Sequence, residues 1–356
     1  MNSFFELFGD VPLRTLFADW RPKPLAEEDG AWLNFPPADF RRWAREFPRH
    51  SFDGIPSAPN QKNNPSFLLS QTHRVWLSSS LVARQADPAG TLVDFGSYPF
   101  VVPLALRRYF NYGGPIVATA IQPLPAEAIA ILKNYSIDIE LLDLDPHVAD
   151  GTGQGPPRRL ARPDESVDTV TMFHVIEHLY HPMDALREAF RLLKKGGRLI
   201  IATDNAMMLG TLQNYVSDYG YVFEPVSSTA AMTFNDWRGH VRFFTAADLT
   251  TMLGAAGFAV AEHGFEEVFY DVFHDDYFVD AKPRMQGWRK KILQSHRQFG
   301  NDLFIVGIKG SPSDVRSATT RSEPPGLTRG IMSSKPFRML ARLQKLSLAK
   351  SKGPSR

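Results

Sequence analysis

The sequence predicts an α/β fold: a mostly parallel sheet sandwiched between two layers of helices. Three observations predict it. Residues Ser166 to Asn205 read as strand, helix and strand in immediate succession, and such a unit makes parallel neighbours through a right-handed crossover. Upstream, apolar β-branched runs recur at 91–96, 115–121 and 137–144, the pattern of strands buried on both faces. Downstream, two further runs at 258–269 and 301–309 complete the set.

Residues 1–87 read as an N-terminal extension rich in Phe, Trp and Pro. Ala38 to Phe47 reads as a short helix with Phe40, Trp43 and Phe47 on one face. Phe35-Pro36-Pro37 and 56–65 are loops. The extension is either a lid over the sheet or a packing layer that shields its first strand. Gln71 to Arg84 is a helix leading into the core, with Arg74, Trp76 and Arg84 read as packing or surface residues. Thr91 to Gly96 is the first strand and its exit, and Pro115 to Ile121 the second strand. Pro123 opens a helix that runs to about Tyr135. Ile137 to Leu144 is the third strand, with Asp143 and Asp145 at its end.

The fourth strand carries Val167, Val170 and Met172. Pro182 suits a first helical position, where its missing N–H costs nothing. Met183, Leu186, Phe190 and Leu193 then recur at helical spacing. Lys194 and Lys195 complement the negative end of that helix, and Gly196-Gly197 are its expected left-handed exit. Arg198 to Thr203 is the fifth strand. Residues 206–240 read as an insert on the substrate side. Thr245 and Asp248 have capping-box spacing, and Leu249, Met252 and Leu253 give the next helix a buried face. Lys282 to Phe299 reads as a basic helix before the last strand.

Composition narrows the function. The 356 residues are 43% apolar, enough for a sizeable core, and contain no cysteine, which excludes disulfides and thiol chemistry. A total charge of +2 argues against a nucleic-acid partner. Past residue 310, ten Lys/Arg against Asp314 and Glu323 leave +8 on the tail and −6 on the remainder. Residues 311–356 therefore read as a flexible basic tail. Within it, 336–350 has the pattern of a short basic amphipathic helix able to touch anionic lipid or a protein. The first residues lack a signal-peptide pattern and no run reaches membrane-span length, so the expectation is a cytoplasmic protein, peripheral to a membrane if the tail binds one.

The stretch DESVDTVTMFHVIEHLYHPMDALREAFRLLKKGGRLIIATDN resembles the middle of class I S-adenosylmethionine (SAM) methyltransferases, with their acidic turn, apolar strand, E-H-L and L-K-P-G-G wording. GHVRFFTAADLTTMLGAAGF, at 239–258, resembles that family's segment after its fifth strand. The resemblance covers roughly residues 90–309, with the family domain placed at 88–310. It implies a Rossmann-like three-layer sandwich with a seven-stranded sheet in the order 3-2-1-4-5-7-6 and one antiparallel strand at an edge. It also implies SAM as cofactor and S-adenosylhomocysteine (SAH) as product. The cofactor contacts it implies are Asp94, Phe95, Gly96, Ser97 and Tyr98 after the first strand, Gln122 after the second, Asp143 and Leu144 after the third, and Phe173 and His174 after the fourth.

Two departures stand out. The family's glycine-rich loop keeps only Asp94 and Gly96 here, followed by Ser97-Tyr98-Pro99-Phe100. Either the cofactor lies against Tyr98 or Phe100 in a reshaped pocket, or affinity is lost. The acid that usually meets the ribose is replaced by Ala120, leaving Gln122 as the nearest polar side chain.

Methyl transfer from a sulfonium needs alignment and, for a hydroxyl acceptor, a proton sink. The candidates are Glu177, His178 and His240, with His174 beside them. The run H-V-I-E-H also matches an inverted zinc-protease pattern, but it follows a buried strand and is cut off by His181-Pro182. The small-RNA and ubiquinone-pathway O-methyltransferases carry E-x-x-E-H at this place. That resemblance offers a divalent metal on Glu177, His178, His240 and His174. The reading is a methyltransferase acting on an oxygen of a sugar, glycan or small metabolite. A catalytically silent methyltransferase-like binding protein and a metal-assisted O-methyltransferase are its rivals. A nicotinamide dehydrogenase needs a G-x-G-x-x-G loop that is absent.

Overall fold

The computed structural model describes residues 23–24, 36–50, 71–121, 123–124, 126–145, 159–209, 211, 240–268, 284–285 and 287–310. Gln122, the tail, most of the extension and most of the 206–240 insert lie outside them. In chain order the helices and strands are α1 (Ala38–His50), α2 (Thr72–Gln85), β1 (Leu92–Phe95), α3 (Val101–Tyr109), β2 (Ile116–Ala120), α4 (Ala126–Asn134) and β3 (Ile137–Leu141). There follow β4 (Val167–Phe173), α5 (Pro182–Leu192), β5 (Leu193–Asp204), α6 (Ala246–Ala255), β6 (Phe258–Glu266), α7 (Gly287–Ser295) and β7 (Asp302–Lys309). Lys23-Pro24 pairs separately with Arg284-Met285.

The seven strands form one sheet in the order β3-β2-β1-β4-β5-β7-β6. The five strands from β3 to β5 are parallel. β7 runs antiparallel to both its neighbours and lies one place in from the edge that β6 closes. Its first residue therefore sits beside the carboxyl ends of the parallel strands, opposite Asp204 in register.

Side-chain alternation sorts each strand between two apolar layers. Val93, Phe95, Val170, Met172, Leu199 and Ile201 pack with Leu186 of α5 and Leu249 and Leu253 of α6. Leu92, Ile116, Ala118, Ile200 and Val306 pack on the other face with Leu81 and Val82 of α2, Leu104 of α3 and Leu132 of α4. Phe40 of α1 meets Trp76 and Tyr109 edge-on, joining the described part of the extension to α2 and α3. Among the described residues no helix is long and apolar enough to cross a membrane.

Three elements differ from the sequence reading. Helix α3 has no counterpart there; its Pro103 lies in the first turn, where a missing N–H is tolerated. Helix α5 ends at Leu192, and Leu193 is already extended because it pairs with Val167. Lys194 consequently leaves the helix end and binds Asp168 at 2.7 Å, while Arg191 occupies the last turn and bonds Glu188. The basic helix before the last strand is α7 alone, followed by a 3-10 turn at Arg297–Phe299.

Phe100 answers one of the open questions about the loop after β1. It sits at φ 67° and is fully buried in the layer beneath α2 and α3, whereas Tyr98 stays 39% exposed. Phe100→Ala should therefore cost about 3–5 kcal/mol in urea unfolding, as loss of a core aromatic does. A loss well under 1 kcal/mol would remove Phe100 from the core.

Candidate functional site

The carboxyl ends of β1, β2 and β4 are closed onto one another by the loop that follows β1. Gly96 has φ 65°, and a Cβ there would lie 2.6 Å from Val175 Cγ2, so only glycine lets this turn pass the β4 exit. The loop is tied to β2: the Gly96 N–H donates to Thr119 Oγ1 at 2.9 Å and the Ser97 N–H to the Thr119 carbonyl at 3.0 Å. Ser97 Oγ donates to the Asp94 carbonyl at 2.8 Å. Asp94 is buried and accepts the Thr171 hydroxyl at 2.6 Å. Burial raises its pKa to about 6, despite the Thr171 and Ser97 hydrogen bonds that favour the carboxylate. Phe95 is wholly in the core and Phe173 packs against the layer under α2 and α3, so both reach the crevice mainly through backbone.

At the end of β3, Asp143 and Leu144 are buried. Asp143 Oδ1 accepts the Asp145 N–H at 2.9 Å, and Asp145 accepts the Tyr180 N–H from the loop after β4. Asp145 thus braces two strand exits.

A buried charge cluster occupies the ends of β4, β5 and β7. His174 follows β4 at φ 53°, a conformation that side chains other than glycine hold only when their surroundings demand it. Its Nδ1 lies 3.1 Å from Glu177 Oε1 and its Nε2 3.1 Å from Asp302 Oδ2. An imidazole flanked by carboxylates on both nitrogens needs both protons. Burial and Arg74 oppose that charge, but Asp302 and the bonds to Asp302 and Glu177 outweigh them and raise the pKa to about 9. As a cation His174 is not a base; a donor nitrogen of its ring also lies within 4.8 Å of carboxylate oxygens of Glu177 and Asp204, a second group that could hold a metal ion if the ring gave up a proton.

Glu177, in the 3-10 turn Ile176–His178, is fully buried and also accepts the Thr203 hydroxyl at 2.8 Å. Burial raises its pKa, but the bond to His174 and the neighbouring histidines outweigh that and hold it well below the usual carboxylate range. Arg74, in the first turn of α2, donates to Asp302 through Nε at 3.0 Å and Nη2 at 2.7 Å, and to Asp204 Oδ1 at 2.8 Å. Asp302 is lowered: burial works against its charge, while Arg74 and His174 prevail. Arg74 and Asp302 are the central residues that sequence reasoning missed. The available signal was a pair of acids, Asp204 and Asp302, at the ends of two predicted strands, which requires a cation nearby.

His178 and His240 come from distant parts of the chain, yet their rings lie 4.6 Å apart between centroids. His240 Nε2 lies 3.5 Å from Asp204 Oδ2. Burial pushes the His240 pKa down, Asp204 opposing and His178 adding to the fall. Donor atoms of Glu177, His178 and His240 all lie within 4.8 Å of one another, a set able to bind a divalent cation after small side-chain shifts.

The His174 charge has a pH signature. Its folded pKa of about 9 exceeds the ordinary 6.5, so its stabilisation is complete below about pH 6.5 and is lost as pH rises through about 9. Urea midpoints of the unaltered protein should fall over that window, and those of His174→Gln should fall markedly less. Equal slopes would mean that His174 is neutral.

A family model described as a methyltransferase domain matches residues 68–263. A probable S-adenosylmethionine-dependent methyltransferase of Mycolicibacterium smegmatis is 32% identical over 128 residues, covering 35% of this chain and 42% of that protein. The ubiquinone/menaquinone biosynthesis C-methyltransferase UbiE of Pseudomonas savastanoi pv. phaseolicola is 26% identical over 120 residues, covering 34% and 45%. The chain spans less than half the length of these curated relatives. Among solved structures, the putative methyltransferase in complex with the Haloferax volcanii Trm112 activator is 18% identical, covers 68% of this chain and 92% of its own, and has a TM-score of 0.43. A SAM-dependent methyltransferase of Thermotoga maritima, a possible histamine N-methyltransferase, is 19% identical, covers 76% and 98%, and has a TM-score of 0.41.

Proposed function

Because this chain belongs to the methyltransferase-domain family matched over residues 68–263, we propose that it is a SAM-dependent methyltransferase whose acceptor gives up a proton as it is methylated. The observation that carries the reading is the meeting of His178, His240 and Glu177 at the β4 exit, beside the glycine turn that closes β1 onto β4. One half of that arrangement suits a nucleoside donor and the other suits a proton acceptor.

The residues present fit the cofactor. Gly96 lets the loop backbone pass directly against Val175 at the β4 exit, and Phe100 lies in the core rather than over that exit. Asp94, Gly96, Ser97 and Tyr98 would hold the methionine end, Asp143 the adenine side, and His174 would line the wall between them. Ala120 brings no carboxylate to the ribose, so Gln122 and backbone groups would serve there without charge assistance. Bound SAM supplies an activated methyl group on a sulfonium. The protein's own part is to align the acceptor, exclude water and receive a proton. His240 or His178 takes that proton, and Glu177 holds the local charge negative.

The acceptor we favour is an oxygen on a sugar, glycan or small metabolite. The UbiE relative is named as a C-methyltransferase, and an activated carbon acceptor needs the same proton sink. A second reading places a divalent cation on Glu177, His178 and His240, favoured by the closeness of their donor atoms; the cation would lower the pKa of a bound hydroxyl. We place the protein in the cytoplasm, with the basic tail, residues 311–356, as a contact for anionic lipid or a protein.

Asp94 offers a test in which stability and binding move in opposite directions. Its folded pKa of about 6 lies above the ordinary 3.8, so ionisation weakens the fold as pH rises from about 4 through about 6. Asp94→Asn should raise the melting temperature at pH 7 and abolish most of the heat of SAH binding in calorimetry. No SAH binding by the unaltered protein would favour the silent binding protein instead. For the metal reading, SAM turnover with an acceptor in hand should cease in excess EDTA and return with divalent cation. Full activity in EDTA would remove it.

A further inference from the structure

We propose that the cleft between α2 and the adjoining ends of β6 and β7 binds a primary ammonium group carried on a short apolar stem. The site goes beyond the methyl-transfer reading and does not depend on it.

The cleft measures about 430 Å3 including its open mouth. Its walls are largely apolar, with Leu77 and Leu81 from α2, Ala202 from β5 and Phe304 from β7. Gly264 of β6 lies opposite Phe304 in register, and a Cβ there would come within 2.4 Å of Phe304 Cζ. The glycine thus makes room for the ring that forms one wall.

The polar groups of the lining set the chemistry of the ligand. Ser78 is only 4% exposed, and that remaining exposure is to the cleft. Its neighbour Ser79 returns its hydroxyl to the Val75 carbonyl at 2.8 Å. The Ser78 hydroxyl has no such bond among the described residues. Glu266, the last residue of β6, gives Oε2 to Arg297 at 3.2 Å, and its Oε1 meets no donor among the described residues. Asp302 faces Glu266 directly across the ladder. Arg84, at the rim, is taken by Glu262 at 2.8 Å and lies 5.9 Å over the Phe304 ring. Two carboxylates therefore line the cleft against one guanidinium, which is itself paired to a third acid. An ammonium brings three N–H donors and no acceptor, which suits Glu266 Oε1 and Ser78 Oγ together. Its stem takes the apolar walls.

The charged groups that face Glu266 are Arg297 from the 3-10 turn, Asp302 from β7 and Arg84 from α2. Burial pushes its pKa up to about 7; Arg297 opposes the rise, Asp302 adds to it and Arg84 opposes it. Glu266 thus gains its full charge above neutral pH, where an alkyl ammonium still keeps its own. Binding tightens as pH rises through about 7 and releases the proton that Glu266 held.

Butylammonium chloride, titrated into the 15N-labelled full chain at constant ionic strength, should move the backbone amide peaks of Ser78 and Glu266. The movement should saturate at a concentration on the order of millimolar, the range of small fragments. Binding should be tighter at about pH 8 than at about pH 6. Butanol and butyrate, which share the stem, should bind at least about tenfold more weakly. Glu266→Gln keeps the shape of the side chain and should weaken butylammonium by about tenfold, and Ser78→Ala by several-fold. Thermal melts of both variants show that the fold is kept. No saturable movement in the unaltered protein, equal binding of butanol, or unchanged binding by both variants overturns the proposal.

Discussion

Two carboxylates that face each other across a β-ladder cannot both be buried and ionised without a shared cation, and this condition shapes the working end of the molecule. Asp204 and Asp302 are directly opposite in the β5–β7 register, both with side chains 8% exposed. Like charges in that relation repel. Arg74 resolves the conflict with a planar fork that meets Asp302 twice and Asp204 once, geometry a lysine does not reproduce. Removing one partner from such a buried set typically costs about 3–5 kcal/mol. The first turn of α2 is therefore held over the strand ends by electrostatics as well as by the apolar contacts of Leu81 and Val82.

The same cluster explains why the β4 exit is strained. His174 adopts a left-handed backbone, and in return its ring bridges Glu177 and Asp302. Glu177 in turn holds Thr203 of β5, and its carbonyl receives the segment that carries His240. One turn thus ties together β4, β5, β7 and the segment before α6. The glycine turn after β1 and the His178–His240 pair both abut this turn, and under the proposed function such a fixed arrangement is what in-line transfer demands of a protein.

Preorganisation has a thermodynamic cost that is visible at Asp94. Its carboxyl is buried and held by hydroxyls, that of Thr171 at 2.6 Å, rather than by a charge-matched cation. A group placed that way weakens the fold when ionised, and such placements persist where function needs them. The loop beyond it is rigid for a different reason. Gly96 and Ser97 are bonded to Thr119, so a loop poor in glycine is stiffened by hydrogen bonds to the neighbouring strand.

By itself the sequence determined the strands and most of the helices, because apolar period and turn residues are local signals that burial on two faces makes strong; the order of the strands was implied by the family resemblance alone. It also marked Glu177, His178 and His240 as candidates by residue type and by their place after two strands, and the structure brings the three together. Only the tertiary structure decided which groups those residues meet. It made His174 a cation, set Arg74, read as a packing or surface residue, at the centre of the charge cluster, drew Asp302 in from the last strand, and sent Phe100 into the core. Ionisation and pairing depend on which distant groups share a low-dielectric space, and no local pattern in the chain records that.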